Sequence, residues 1–150
     1  MAAVKIIPEK IHLQDIKTIN AKLERSPDIN IVAGAEGFDL RFAHNLSWDD
    51  TNNRVALTLL IEADARSTNN GLMGKGFFEL LFLFHIENLQ DYLTSDKDLV
   101  KMNILLAATL VGLSFSTSRG MLLTFTRNTL FEGLILPIVN PVKIIKEPSI

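Results

Sequence analysis

Three histidines, a glycine cluster, a pair of aspartates and one glutamate are the residues whose types could do chemistry. His12, His44 and His85 match neither the His-x-x-x-His spacing that puts two imidazoles on one helix face nor the His-Glu-x-x-His of metal hydrolases. They read as hydrogen-bonded structural histidines, and no metal site is expected. Gly71, Gly74, Lys75 and Gly76 have the glycine density of a phosphate-cradling loop. The spacing before Lys75 is wrong, however, and no Ser or Thr follows it, so the segment reads as a flexible entry to a strand. Asp49 and Asp50 are adjacent rather than opposed across a cleft, which suits a solvated turn. No Gly-x-Ser-x-Gly elbow offers a serine nucleophile. Cysteine is absent, which removes thiolate nucleophiles, disulfides and Cys-ligated metals together and fits a reducing compartment. Glu79 remains. In an apolar stretch it is either a buried acid with a raised pKa or one half of a strand-end salt bridge, and the second reading is preferred. The expectation is a binding protein without cofactor, not an enzyme.

Composition narrows the partners. A chain of 150 residues, 47% hydrophobic and 21% charged, suits one domain over 1–150 with one core. The formal net charge is −2, with no Lys/Arg stripe, so neither nucleic acid nor anionic lipid is an expected partner. The first residues hold no apolar run of signal-peptide length, and a cytoplasmic location is expected. The longest apolar stretch, Leu99 to Phe115, is broken by Lys101 and Asn103 and lacks basic flanks on both sides, so membrane insertion is not expected.

The elements that position these residues divide into a strand-rich first part and a helical last part. That order suggests helices gathered on one side of an antiparallel sheet. Ile11 to Leu23 fits two patterns: Ile11, Leu13, Ile19, Ala21 and Leu23 alternate as in a strand, while Ile16, Ile19 and Leu23 suit a helix stripe. The strand is preferred, ended by Pro27. Phe38, Leu40, Phe42, Leu46 and Trp48 alternate with Asp39, Arg41, Asn45 and Ser47, predicting a half-buried strand. A turn at Asp49–Asn53 then leads to Val55, Leu57, Leu59 and Ile61, so the two strands form a hairpin. From Phe77 to Ile86 both parities are apolar, which predicts a strand covered on both faces, by helices or by another subunit. A central helix is expected next, capped by Ser95 with Asp98 three residues on, running to about Ser118 with Gly120 at C′. Its stripe is Leu99, Met102, Leu106, Leu110 and Leu113. Met121 to Leu136 reads as a long connection with short extended pieces. Asn140-Pro141 opens a short last helix carrying Val142, Ile144 and Ile145.

Three stretches, in order, resemble one family. Ala21-Lys22-Leu23-Glu24-Arg25-Ser26-Pro27 is similar to the Ser-Phe-Glu segment ending the first strand of the SecB export chaperones. Gly76-Phe77-Phe78 resembles the Gly-Ile-Phe that opens their fourth strand. Asn103-Ile104-Leu105 through Ser118-Arg119-Gly120 to Leu136-Pro137-Ile138-Val139-Asn140 resembles their long helix, its Arg-Gly end and the Pro-Val-Asn before the last helix. The resemblance implies a SecB-like α+β fold: a four-stranded antiparallel sheet with a long helix and a short C-terminal helix on one face. It also implies a dimer of dimers, a homotetramer that holds unfolded, export-bound polypeptides without ATP and hands them to the SecA motor. Two departures stand out. The family helix begins Asn-Ile-Leu-Phe-Pro-Tyr-Ala-Arg-Glu, and Leu106 to Val111 replace its last six residues, losing the Arg and Glu charges. The family's docking acids for the motor fall at Asn20, Glu24 and Gly71, so Glu24 alone keeps the charge for partner docking. A SecB-like chaperone of a toxin–antitoxin system is the variant reading.

The doubly apolar strand suggests how such a chain would work. One face packs under the helix, and the other, with parts of Met121 to Leu136, lines a groove or a subunit contact. Phe78, Phe82, Leu122, Phe125 and Phe131 are the expected client-binding residues. The readings from other classes are a small-molecule or lipid carrier and a purely structural oligomer-forming domain.

Overall fold

The computed structural model describes residues 4–27, 34–147 and 149. Four long strands, β1 (Ile11–Arg25), β2 (Gly37–Asp49), β3 (Arg54–Arg66) and β4 (Leu72–Ile86), make one antiparallel sheet in the order β1-β4-β3-β2. The β2–β3 hairpin forms where the alternation placed it. At its turn the Asp49 carboxylate accepts the N–H groups of Thr51 and Asn52, and Asn53 takes φ 56°, the left-handed conformation that Asn tolerates.

β1 explains its own ambiguous sequence. Its register against β4 slips between Leu13 and Asp15 and again between Thr18 and Asn20, and each extra residue reverses the parity of the residues beyond it. Ile11 and Ile16 therefore both pack on the core, while Ile19, at the second irregularity, is 52% exposed. Two such breaks in a period of two imitate a helical stripe.

After β4 the chain departs from expectation. Ser95 caps no helix. It lies in β5 (Leu93–Asp96), which pairs with β6 (Leu99–Met102), and Lys97 and Asp98 form the tight turn at φ 49° and 67°. Two consecutive left-handed residues belong to a two-residue hairpin loop. The long helix α1 (Ile104–Phe125) starts at Asn103, whose side-chain oxygen accepts the N–H of Leu105. Asn fills the cap because its carbonyl oxygen satisfies a donor the first turn leaves free. At the other end α1 continues through Gly120 to Phe125, so that glycine is inside the helix. The end comes at Thr126, whose hydroxyl donates to Leu122 O. Thr129 then donates to Thr126 O and accepts from Phe131 N–H, which turns the chain back over the sheet. α2 (Pro141–Lys146) opens as expected, with Asn140 Oδ1 accepting from Val142 N–H.

The core lies between α1 and one face of the sheet. Val55, Leu57, Leu59 and Ile61 of β3, with Phe78, Leu80, Phe82, Phe84 and Ile86 of β4, meet Leu106, Leu110, Val111, Phe115 and Leu122 of α1, all buried. Each such side chain stabilises the fold by about 1.5–3 kcal/mol. α1 has the length and composition of a membrane span, but eight of its side chains are buried in the protein, as suits a core helix. Within the protomer only one face of β4 is covered. Phe77, Glu79, Leu81, Leu83 and His85, on the other parity, are half-buried, so among the described residues of this chain nothing supplies the expected second cover.

The glycines of β4 have a spatial role. A Cβ on Gly74 would lie 2.6 Å from Glu24 O and 2.8 Å from Leu130 Cδ2, and one on Gly76 would lie 3.2 Å from Phe131 Cε1. They leave room for the turn after α1 to lie directly on the strand, rather than making its entry flexible.

Candidate functional site

α1 is apolar nearly all round, and the sheet hides only part of it. Ile104, Leu105, Leu113 and Leu123 are exposed. Alongside runs the segment 134–140, whose burial alternates only as far as Pro137. Leu134 and Leu136 are buried, while Ile135 and Ile138 face solvent, Ile138 at 94% exposure. Arg119 holds this segment: its Nε donates to Leu136 O (2.8 Å) and its Nη2 to Pro137 O (3.1 Å). A guanidinium spreads donors over a rigid plane, so it can tie two successive carbonyls at once.

Between helix and segment lies a trough of about 660 Å3, lined by Leu105, Gly112, Leu113, Ser116, Ile138 and Val139 among others. At its floor a Cβ on Gly112 would sit 3.3 Å from Pro141 Cγ, so the missing side chain sets the close approach of α2. Ile138 and Val139 also line a second cavity of about 400 Å3, with Phe42, Lys143, Ile144, Glu147 and Ser149. Among the described residues Arg119 is the one charged residue lining the first trough, and two of its N–H donors are engaged with the carbonyls of Leu136 and Pro137. Such a surface offers apolar contact without fixed polar demands, which suits varied apolar segments.

The expected client-binding residues fall elsewhere. Phe78, Phe82 and Leu122 are fully buried, and Phe131 is buried against Phe38 (ring centroids 6.0 Å). In this conformation these four are walls of the core. Phe125 alone reaches the surface, stacked on Phe78 at 6.4 Å. The trough residues Leu113 and Ile138 escaped as site candidates because Leu113 continued a convincing helical stripe and Ile138 sits in an apolar run with no firm period, Leu134-Ile135-Leu136-Pro137-Ile138-Val139. Parity would have placed Ile138 inward with Leu134 and Leu136, whereas it is 94% exposed after Pro137, so no sequence signal marked it.

The outer face of the sheet carries the charges. Arg41 is tied to Glu62 (Nε to Oε2, 3.0 Å) and to both oxygens of Asp64 (3.1 and 3.2 Å), while Arg66 reaches Asp39 (3.0 Å). The Arg41 hydrogen bonds hold the Asp64 carboxyl below its ordinary value, against the opposing effect of burial, and raise the already high pKa of Arg41. Asn20 and Glu24 flank a cavity of about 350 Å3 on this face, with Lys22, Lys75 and the Arg41 cluster. Gly71 lies apart, in the turn before β4, its N–H donated to Ser67 Oγ. Glu79 is mid-strand opposite Asn20 and Leu60. Among the described residues no cation lies within salt-bridge distance of it, so the strand-end salt bridge does not form. His12 and His85 are cross-strand neighbours, yet among the described residues no three metal-ligating side chains converge. Between α1 and the sheet there is a crevice of about 220 Å3, lined by Leu13, Phe82, Phe84 and Ser114 among others. That is below the roughly 300–1,000 Å3 of pockets for small organic ligands, which weighs against an internal lipid carrier.

No protein-family model matches the chain, and no curated protein does. Solved structures do. One is a SecB-like chaperone of Mycobacterium tuberculosis, solved in complex with a ChAD peptide from the HigA1 antitoxin. It superposes with a TM-score of 0.63 at 15% identity, over 87% of this chain and 91% of that one. With the sheet order, the long helix and the short last helix in place, the fold of this chain is SecB-like, reached by a divergent sequence.

Proposed function

We infer that the chain is a holding chaperone, a binding protein rather than a catalyst, which takes extended apolar segments of unfolded polypeptides into the trough between α1 and residues 136–141. The observation that carries this reading is Ile138, almost wholly exposed beside an apolar trough while its segment is clamped in place by Arg119. Leaving an aliphatic side chain in water forgoes its burial energy, and holding it there suits a surface awaiting a partner. The peptide bound by the structural neighbour supports a polypeptide as the ligand. Apolar contact needs no nucleotide, so holding proceeds without ATP.

The chain works in the cytoplasm as a homo-oligomer, a dimer of dimers. The open face of α1 supports assembly, as does the outer edge of β1, a strand of 15 residues with no neighbour on that side among the described residues. Export hand-over to SecA has less support. Of the three docking positions only Glu24 is acidic, and an interface that loses most of one sign of charge loses on-rate and specificity. A dedicated client, as in a toxin–antitoxin system, is the reading preferred over general export.

The test is suppression of aggregation of a reduced, unfolded protein in the absence of ATP, alongside light scattering. Wild-type protein is expected to suppress it. The double variant Leu113→Glu with Ile138→Glu, both at exposed positions, is expected to lose at least about tenfold in affinity, since each buried aliphatic group contributes about 1.5–3 kcal/mol. Undiminished suppression by a folded double variant would rule the trough out as the binding site.

A further inference from the structure

The sheet face turned away from α1 has two charged ends, and they differ in how their charges are used. At one end Arg41 and Arg66 are engaged with Glu62, Asp64 and Asp39. At the other end the register sets Asp49 of β2 opposite Arg54 of β3, yet the two do not pair. The Asp49 carboxylate serves its own turn instead, accepting from Thr51 N–H, Asn52 N–H and Asn52 Nδ2. Asp15, opposite Leu83, is likewise taken, by Ile16 N–H and by Lys17 (3.8 Å). Among the described residues Arg54 makes no hydrogen bond and no ion pair. A guanidinium is a rigid fork of donors, and this one is left without an acceptor.

Beside Arg54 the face sinks into a hollow of about 340 Å3, lined also by Ala56, Leu83, Trp48 and Asp49. Its origin is plain in the pairing. Ser47, Ala56 and Leu83 form one row across β2, β3 and β4, and two small residues beside a leucine leave space unfilled. Unlike the smaller crevice under α1, the hollow falls within the roughly 300–1,000 Å3 of small-ligand pockets.

We propose that this hollow is a ligand site for a compact apolar group bearing one carboxylate, the apolar part resting on Ala56 and Leu83 and the carboxylate held in the fork of Arg54. The hollow lacks side-chain volume and Arg54 lacks an acceptor, and one such ligand supplies both. The guanidinium matches the two oxygens of a carboxylate geometrically as well as in charge. A free apolar acid and the C-terminal residue of a polypeptide share this chemistry. The site lies on the face away from α1 and the trough, so it stands apart from the chaperone reading.

Trp48 is the one tryptophan of the chain, so its fluorescence reports on this hollow directly. Octanoate should change the Trp48 emission saturably. Octylammonium, with the same tail and the opposite charge, should bind at least about fivefold more weakly. Arg54→Gln, at an exposed position, should weaken octanoate about fivefold and leave octylammonium no weaker than before. Ala56→Met fills the hollow and should abolish the response to octanoate. The trough variant Leu113→Glu with Ile138→Glu should bind octanoate as the wild type does. A tripeptide ending in leucine separates the two sources. Competition with octanoate by its free-acid form, but not by its C-terminal amide, would support the site with a polypeptide terminus as the ligand. Failure of both peptide forms beside Arg54-dependent octanoate binding would support it with a free acid.

Three results would each overturn the proposal: octanoate affinity indifferent to Arg54→Gln, equal binding of octanoate and octylammonium, or no saturable change at Trp48. Loss of octanoate binding in the trough variant, with Arg54→Gln unaffected, would place the ligand in the trough and overturn it too.

Discussion

On β3 and β4 the face under α1 and the face turned away from it differ far more in burial than in composition. Val55, Leu57, Leu59 and Ile61 with Phe78, Leu80, Phe82 and Phe84 are at most 1% exposed. Across the same two strands, Leu60, Phe77, Leu81 and Leu83 are only half-buried and lie among Thr58, Glu62 and Glu79. Aliphatic and aromatic residues thus serve as core on one side and as the middle of an open, charge-rimmed surface on the other. A run of apolar residues in both parities establishes a strand in the middle of a sheet, and what covers each side has to come from elsewhere in the chain.

The neighbouring pair Phe82 and Leu83 should show this as the largest difference. Phe82→Ala leaves a cavity under α1 and is expected to lower stability by about 3–5 kcal/mol in urea unfolding. Leu83→Ala removes a half-exposed side chain and is expected to lose about 1 kcal/mol, in proportion to the area already in water. Comparable losses for the two would mean that the open face is covered in solution, and a Leu83→Ala effect growing with protein concentration would assign that cover to another copy.

How much of this the sequence revealed depended on whether period and burial agreed. β2 and β3 alternate without interruption, so their hairpin and their inward residues were legible. β1 was harder because its two register slips each shift the parity, and a linear reading has no way to place a bulge. The hairpin of β5 and β6 was read as helix because Ser95 and Asp98 imitate a capping box. The decisive fact, two left-handed residues at Lys97 and Asp98, is a backbone property that neither residue type announces. The trough was illegible for a related reason. Leu106, Leu110 and Leu113 look equivalent on a helix hydrophobic all round, and only the docking of the sheet and of segment 134–140 separates the buried pair from the exposed third. The charge network was hidden too, because Arg41, Glu62 and Asp64 meet only once the register of β2 against β3 is known.

That network sets a second, smaller contrast between the faces. On the open face Asp64 is a carboxylate whose side chain is only 10% exposed, tolerated because Arg41 donates to both its oxygens. Arg41→Ala removes the main partner and leaves the charge in place with only the longer contact to Arg66 (3.5 Å). Breaking a fully buried pair this way is strongly destabilising, and the partial exposure of Arg41 reduces the effect, so a loss of about 1–3 kcal/mol is expected. The double variant Arg41→Ala with Asp64→Asn should recover part of it. No recovery would mean that Arg41 stabilises the sheet by packing rather than by neutralising Asp64.

The smallest expected effect is a dependence on pH that distinguishes the faces by the sign of charge each tolerates. His44 lies on the helix-side face of β2, and its Nδ1 is buried with no hydrogen-bond partner among the described residues. Burial lowers its pKa below the ordinary 6.5, because the imidazolium would lose hydration there and gain no acceptor. A base with a lower pKa in the fold than in the unfolded chain takes its proton more readily when unfolded. Its effect on stability is therefore nil well above 6.5 and destabilising as pH falls through that value, levelling off once the folded form is protonated too. The acid Asp64, also lowered, behaves differently in its window: the stability it contributes is intact above 3.8 and is lost only as pH falls further, through its folded value. Between about pH 8 and 5 the melting temperature of the wild type should decline, and in His44→Gln, which keeps the size and cannot be protonated, the His44 part of that decline should vanish. Identical slopes in the two proteins would mean that His44 finds a partner or water when charged, and that the helix-side face accepts a cation as readily as the open face does.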